Sequence, residues 1–369
     1  MTFRTYKLTP VDTWFFRDGR PYNQGESYLT DIKSLFPPFA LTAVGAIRAS
    51  IARGLGWNGK GDWPSNIKIK LGDGQNLSPL SFRGPYLIRD KEGKPEVLFP
   101  APLHLVAKHT DDEKAQREQL ALLQPGKEVD CDIGDQVRLP TSKNATDLKS
   151  LYGCYLTSSD LAIVLKGGDL SKISPVKGSD LWDFEFLVGI ERSFETRTTV
   201  EGALYSISRV RLNPGVGLAV EVDGLEGDME PQSPLPFGGE GRLAYVDRMD
   251  NPIKVPDAPD LGSDSTIRFT VTHLTPAHFE KRWPGLGEEL PGLVGSKIVS
   301  ACLERPVLIG GWDTVKGEPL PLKPFLPGGS IWFCEADSGR ANEIKTCNGK
   351  YIGKYSEYGF GEIAIGLWK

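Results

Sequence analysis

FRTYKLTPVDTWFFRDGRP, residues Phe3–Pro21, opens the chain and decides how the rest of it is read. Its first six residues, FRTYKL, alternate in the manner of a strand. The segment after them does not. Trp14, Phe15 and Phe16 stand in a row and run into Arg-Asp-Gly-Arg-Pro. A strand with one buried face alternates apolar and polar side chains, so this triplet and its turn belong to a loop between a first strand and the next element. In that turn Asp18 serves as the cap and Gly19 supplies a positive φ, which brings Arg17 and Arg20 together. Two guanidinium groups held close repel unless an anion lies between them. Asp12 or Asp18 is one candidate and an external phosphate is the other. The three aromatics read as core before they read as stacking platforms for bases.

The next element is a helix. After Pro38, Leu41, Val44, Ile47 and Ile51 recur at helical spacing, and Gly54 and Gly56 supply the stop. Short strands are expected at IKIKL (67–71) and SFRGPYLIR (81–89). A polar region over about residues 108–150, with the charged run DDEKAQREQ, reads as a helical surface insertion. LTSSDLAIVL (156–165) reads as a second helix with a Ser or Thr cap before Asp160. DFEFLVGI (183–190) is a strand, and ETRTTVEGALYSISRVRL (195–212) reads as a hairpin turning at Glu201-Gly202. GLAVEVDGL (217–225) adds a strand before the glycine and proline loop PQSPLPFGGEGR (231–242). The aperiodic stretch 251–264, rich in proline and aspartate, marks a linker between a domain over 1–250 and one over 265–369. Four strand candidates lie beyond it: TIRFTVTHLT, ACLERPVLIGGW, GSIWFCEA and EIAIGLW. Strands with few helices in both halves indicate an α+β protein.

Composition narrows the function. At 369 residues the chain can bury two cores, and its 42 glycines and 28 prolines imply many turns and long loops. A formal charge of −5 means that any nucleic acid is held by a local basic surface and not by the molecule's overall field. Cys131, Cys154, Cys302, Cys334 and Cys347 form no CxxC pair, as expected of free thiols in a reducing compartment. MTFRTYKLTP lacks the apolar run of a signal peptide, and FPPFALTAVGAI is too short to span a bilayer. A cytoplasmic protein that makes no membrane contact is expected.

Several motifs fail on context. GLGWNGKG (54–61) has the spacing of a phosphate-binding loop, yet it closes a helix and carries Gly61 where a magnesium-binding hydroxyl belongs. His104, His109, His273 and His278 form two pairs five residues apart, neither a helical face nor a zinc-finger pattern. DCDIGD (130–135) resembles the start of a calcium loop but meets Thr141 where the closing glutamate should stand, so a polar turn explains it. No GxSxG elbow or cysteine nucleophile signature is present. No metal, cofactor or catalytic residue is therefore expected. Arg209 and Arg211 are more telling. Two apart on a strand, they point to one face with Cα atoms roughly 6.6 Å apart, a spacing suited to successive phosphates. Pairing with Glu191, Glu195 or Glu201 is the structural alternative. Near the C-terminus, Tyr358 and Phe360 flank Gly359 in YGFGEIAIG, where glycines permit close backbone approach and the rings could stack on bases.

Taken in order, the Asp12–Pro21 motif, FPPFALTAVGAIR (36–48), ERSFETRTTVEGALYS (191–206), GGEGR (238–242), IGGWD (309–313), PGGS (327–330) and YGFGE (358–362) resemble the RAMP-superfamily subunit of type III-B (Cmr) CRISPR effector complexes that holds the 5′ tag of the guide RNA (crRNA). The resemblance spans nearly the whole chain. It implies two ferredoxin-like (RRM-type) domains with long insertions, a β-hairpin thumb, and a glycine-rich loop near the C-terminus. It also implies a non-catalytic role in antiviral defence. The implied partners are the crRNA, the large polymerase/cyclase-like subunit and the repeated RAMP backbone subunit. Carried onto this sequence, the implied RNA-facing set is Phe16, Arg17, Arg20, Gly45, Arg48, Arg192, Arg197, Arg209, Arg211, Arg242, Tyr358, Gly359, Phe360 and Gly361. Such residues suit single-stranded RNA, which is held through phosphates, splayed bases and 2′-hydroxyls. The alternatives are the equivalent subunit of a type III-A complex and a CRISPR repeat-processing endoribonuclease. The latter needs a general acid and base, and no histidine lies in the first helix or the glycine-rich loop.

Overall fold

The computed structural model describes residues 3–17, 31–32, 34–108, 119–142, 147–313 and 315–369. Its contacts divide the chain into two compact units. The first comprises residues 1–95, 179–252 and 308–323, the second residues 96–178, 253–307 and 324–369. The linear division at 251–264 expected from the sequence is therefore replaced by a discontinuous one. The 251–264 stretch is irregular as expected, but it is no free tether, since Ile253 and Leu261 are buried in the second unit.

In chain order the principal elements are strand β1 (Arg4–Pro10), helices α1 (Ala40–Gly54) and α2 (Ser65–Leu71), and strands β2 (Ser81–Lys91), β3 (Gln124–Cys131) and β4 (Gly134–Thr141). Helix α3 (Ser158–Leu165) and strands β5 (Trp182–Arg192), β6 (Thr199–Leu212), β7 (Val216–Asp223) and β8 (Leu243–Met249) come after them. The chain ends with β9 (Thr266–His273), β10 (Lys297–Cys302), β11 (Ile331–Asp337), helix α4 (Ala341–Lys345) and β12 (Ile363–Leu367). This is a mixed, strand-rich α+β protein.

The first unit centres on antiparallel strands in the order β2-β7-β1-β8. Tyr6 and Leu8, two apart on β1, turn into its core, as do Leu218, Val220 and Val222 of β7. Helix α1 buries Val44, Ile47 and Ile51, each contributing about 1.5–3 kcal/mol. It ends at Leu55, with Gly56 at φ +98°. Residues 67–71, expected to be a strand, form most of α2 instead. Ile67 and Leu71 are buried one helical turn apart while Ile69, which a strand would place beside them, is exposed. β5 and β6 make a long hairpin, with Trp182 opposite Leu212 and Gly189 opposite Tyr205. Its turn is not at Glu201-Gly202, which lie inside β6. The chain reverses at 193–198, where the Ser193 amide donates to the Thr198 carbonyl and Arg197 sits at φ +55°.

In the second unit the antiparallel order is β10-β11-β9-β12. Ile267, Phe269 and Val271 of β9 point into a core with Ile298, Trp332, Cys334, Ile363 and Ile365. Thr157 caps α3 by accepting from the Asp160 amide at 3.1 Å, as the sequence indicated. α3 lies so close to β12 that a Cβ on Gly366 would stand 3.0 Å from the Leu165 carbonyl oxygen. The expected helical insertion is corrected over its described residues 119–142. Residues 119–142 form strands, chiefly the hairpin β3–β4 around DIGD, and the Arg138 carbonyl accepts from Ser300 of β10 at 2.6 Å. The charged run 111–118 lies outside the described residues. No helix among the described residues is long and apolar enough to cross a membrane.

Candidate nucleic-acid interface

The Asp12–Arg17 segment lies in the first unit, held to β6 on one side and to the 237–243 loop on the other. Trp14 exchanges backbone hydrogen bonds with Val210 at 2.9 and 2.8 Å, and its indole donates to the Leu243 carbonyl at 3.1 Å. The Phe16 amide donates to Ser34 Oγ at 2.9 Å. Ring centroids of Trp14 and Phe16 stand 5.0 and 5.2 Å from Phe237, both edge-to-face. Gly238, at φ +83°, passes so near that a Cβ would lie 2.4 Å from the Phe15 carbonyl oxygen. Trp14, Phe15 and Phe16 are all buried, so Phe16, expected among the RNA-facing residues, presents no ring to a base and instead anchors the segment.

The charges sit at the edges of this anchor. Asp12 bridges two guanidinium groups, Arg211 at 3.0 Å and Arg242 at 3.4 Å. The hydrogen bond from Arg211 is the main cause that holds the Asp12 carboxyl below the usual carboxylate range. Arg211 also pairs with Glu185 across the hairpin. Among the described side chains, the acids that pair with Arg211 are thus Glu185 and Asp12. Arg209 shares the face of Arg211 by strand alternation. Its Nε, like that of Arg242, is buried without a hydrogen-bond partner among the described residues. Arg192 donates twice to the Arg197 carbonyl, at 3.2 and 2.9 Å, and so fastens the hairpin tip. Arg17 is exposed where the anchored segment ends. Asp18, Gly19 and Arg20 lie outside the described residues.

The remaining expected residues do not join this surface by side chain. Arg48 is buried, donates to the Leu71 carbonyl at 2.8 Å and the Gly74 carbonyl at 3.0 Å, and stacks over Trp63 at 4.9 Å, which makes it a tie between α1 and the chain after α2. Gly45 is exposed on α1, and a Cβ there would meet nothing within 4 Å. Tyr358 and Phe360 are buried in the second unit, with Phe360 packed 4.7 Å from Phe325, so they offer no stacking platform. Gly359 and Gly361 are buried with them. Gly361, at φ +83°, is required by the chain itself, since a Cβ would stand 2.1 Å from the Ile352 carbonyl oxygen.

Two features go beyond the sequence reading. Asp12, weighed there as the anion between Arg17 and Arg20, is the hinge of an ion-pair cluster with Arg211 and Arg242, partners that only the return of β6 to the opening segment reveals. The hairpin also carries Phe186, Val188 and Ile190 on one face, exposed, and a fully exposed Phe194 at its tip. The apolar alternation of DFEFLVGI held that signal, but nothing in the sequence says whether such a strand is covered.

A pinned segment whose rim carries arginines is an arrangement chemically suited to phosphates of an extended polyanion. The chain belongs to the Cas_Cmr3 family of CRISPR-associated proteins, which it matches over residues 6–368. It is accordingly a subunit of the type III-B CRISPR system. The fold is similar to a chain in a cryo-EM structure of type III-B Cmr-beta bound to cognate target RNA and AMPPnP. The identity is 15%, the TM-score 0.51, and 96% of this chain and 93% of that one are covered. A second Cmr-beta structure, bound to cognate target RNA, matches at 16% identity and TM-score 0.50 over 97% of this chain and 96% of the other. No curated protein matches the chain.

Proposed function

We propose that this chain is a non-catalytic subunit that holds the 5′ tag of the crRNA at the base of a type III-B ribonucleoprotein and docks the large polymerase/cyclase-like subunit beside the first repeated backbone subunit. The observation that carries the reading is the family match over residues 6–368. The strand orders support it. Numbering the four central strands of each unit from its first, both run 2-3-1-4, the antiparallel order of a ferredoxin-like domain. In this reading each unit retains one of the two helices that fold carries, α1 in the first and α4 in the second.

Arg17, Arg20, Arg192, Arg197, Arg209, Arg211 and Arg242 are the proposed phosphate contacts, with the open face of α1 at Gly45 beside them in the reading. Guanidinium groups bind phosphate by charge-assisted, often bidentate hydrogen bonds. Phe16, Arg48, Tyr358 and Phe360 support the scaffold instead. Two of the four histidines, His104 and His273, are buried, which supports a role without acid–base catalysis. Purification of the chain from its host should bring down a crRNA and the two neighbouring subunits. Cleavage of labelled repeat RNA by the purified chain, abolished by one point substitution, would overturn the non-catalytic role. Substituting Arg17→Ala and Arg20→Ala together should weaken guide-RNA retention, with a salt slope lower by about one to two ions, and leave the thermal midpoint in place.

A further inference from the structure

Asp12 occupies the ground between two guanidinium groups, on the rim where the RNA reading needs a phosphate. Its carboxylate lies 3.0 Å from Arg211 and 3.4 Å from Arg242, and its side chain remains 58% exposed. A buried structural ion pair would be sealed by its neighbours; this one is open to solvent. The donors around it are not saturated, since the Nε atom of Arg242 reaches no acceptor among the described residues. A guanidinium presents five donors and a carboxylate fewer acceptor directions than a phosphodiester can supply to several arginines at once. The segment that carries Asp12 is fixed by the Trp14 backbone pair and the buried rings, so the carboxylate is delivered to this place by the fold and not by a wandering side chain.

We propose that Asp12 is an internal stand-in for an RNA phosphate: in the free chain it neutralises Arg211 and Arg242, and a phosphodiester of the guide displaces it. The inference rests on the RNA-holding reading above and adds to it a named competitor. Without RNA, Asp12 keeps the arginines oriented and spares them mutual repulsion. On binding, its rotation toward solvent releases the Arg211 Nη2 and Arg242 Nη1 donors it held to the phosphate, while Glu185 keeps its pairing with Arg211 through Nε and Nη2. Surface ion pairs are weak, which suits a contact that must be given up.

The test is Asp12→Asn in the full chain, with binding of a tag-bearing oligoribonucleotide measured across a salt series. Removal of one competing negative charge should tighten binding about fivefold at low salt and steepen the salt slope by about one ion. Unchanged or weaker binding by a folded variant would overturn the proposal and mark Asp12 as a permanent structural partner. If the variant does not fold, the wild-type chain decides: in a structure of its RNA complex, a phosphate within hydrogen-bond distance of Arg211 and Arg242 with Asp12 turned away supports exchange. The carboxylate still seated between them refutes it. Failure of the wild-type chain to bind RNA at all, alone or in its assembly, would be a failure of the underlying reading instead.

Discussion

At the scale of single residues, position and chemistry divide the opening motif between two tasks. Phe16 is buried against Trp14, Phe36 and Phe237, whereas its neighbour Arg17 is exposed. Phe16→Ala should therefore lower stability by roughly 3–5 kcal/mol, read as a fall in the denaturant midpoint. Arg17→Ala, a surface change, should stay within about 0.5 kcal/mol of wild type in the same titration. Arg48 makes a sharper case because the resemblance assigned it to RNA. Its removal leaves the carbonyl of buried Leu71 without its donor, so Arg48→Ala should cost about 1–3 kcal/mol and leave the salt dependence of RNA binding as in wild type. A reduced salt slope with unchanged stability would return Arg48 to the RNA-facing set.

At the scale of elements, the same contrast explains what the sequence made legible. Helix α3 was readable because its cap is local: Thr157, three residues before Asp160, offers an oxygen to an orphan amide. Thr157→Ala should consequently destabilise by about 1 kcal/mol, and Thr157→Ser should restore most of it; equal stability of Ala and Ser variants would show that the cap adds nothing. β1, β7, β9, β11 and β12 were readable from apolar patterning for the same reason. α2 was not, because IKIKL alternates like a strand and only burial distinguishes Ile67 and Leu71 from Ile69. The hairpin turn was misplaced because Glu201-Gly202 carries a turn signal that pairing with β5 overrides, while the real reversal rests on Arg197 adopting a left-handed conformation uncommon for a non-glycine residue. The insertion was misread because its charge hid the alternation around DIGD. Of the candidate site, the arginines were legible by spacing, but their partners depend on contacts as distant in sequence as Asp12 with Arg211 and Arg242.

At the scale of the whole molecule, titratable groups are unevenly shared between the units. All four histidines belong to the second unit, and the first contains none. His104 and His273 are buried, and burial pushes both down to about 3 from an ordinary value of 6.5. Both ring nitrogens of His273 lie without hydrogen-bond partners among the described residues beside Trp332, whose ring centroid is 5.1 Å away, so the folded chain accepts this imidazole only in its neutral form. The sign is then fixed. Above pH 6.5 folded and unfolded chains are both neutral at these positions and the histidines leave stability unchanged. As pH falls below 6.5 the unfolded chain takes up protons that the folded chain refuses, and each histidine removes up to about 1.4 kcal/mol per pH unit until its folded value is approached. Between about pH 7 and 5 this loss falls on the second unit, where β9 holds His273, while the first unit has no histidine to titrate. Hydrogen exchange corrected for its intrinsic pH dependence should show β9, β11 and β12 losing protection over that interval, with β1 and β7 holding theirs. His273→Leu should flatten the pH dependence of the second unit by about half if it folds. Equal loss of protection in both units, or a pH dependence that survives replacement of both His104 and His273, would place the acid sensitivity elsewhere than in these buried imidazoles.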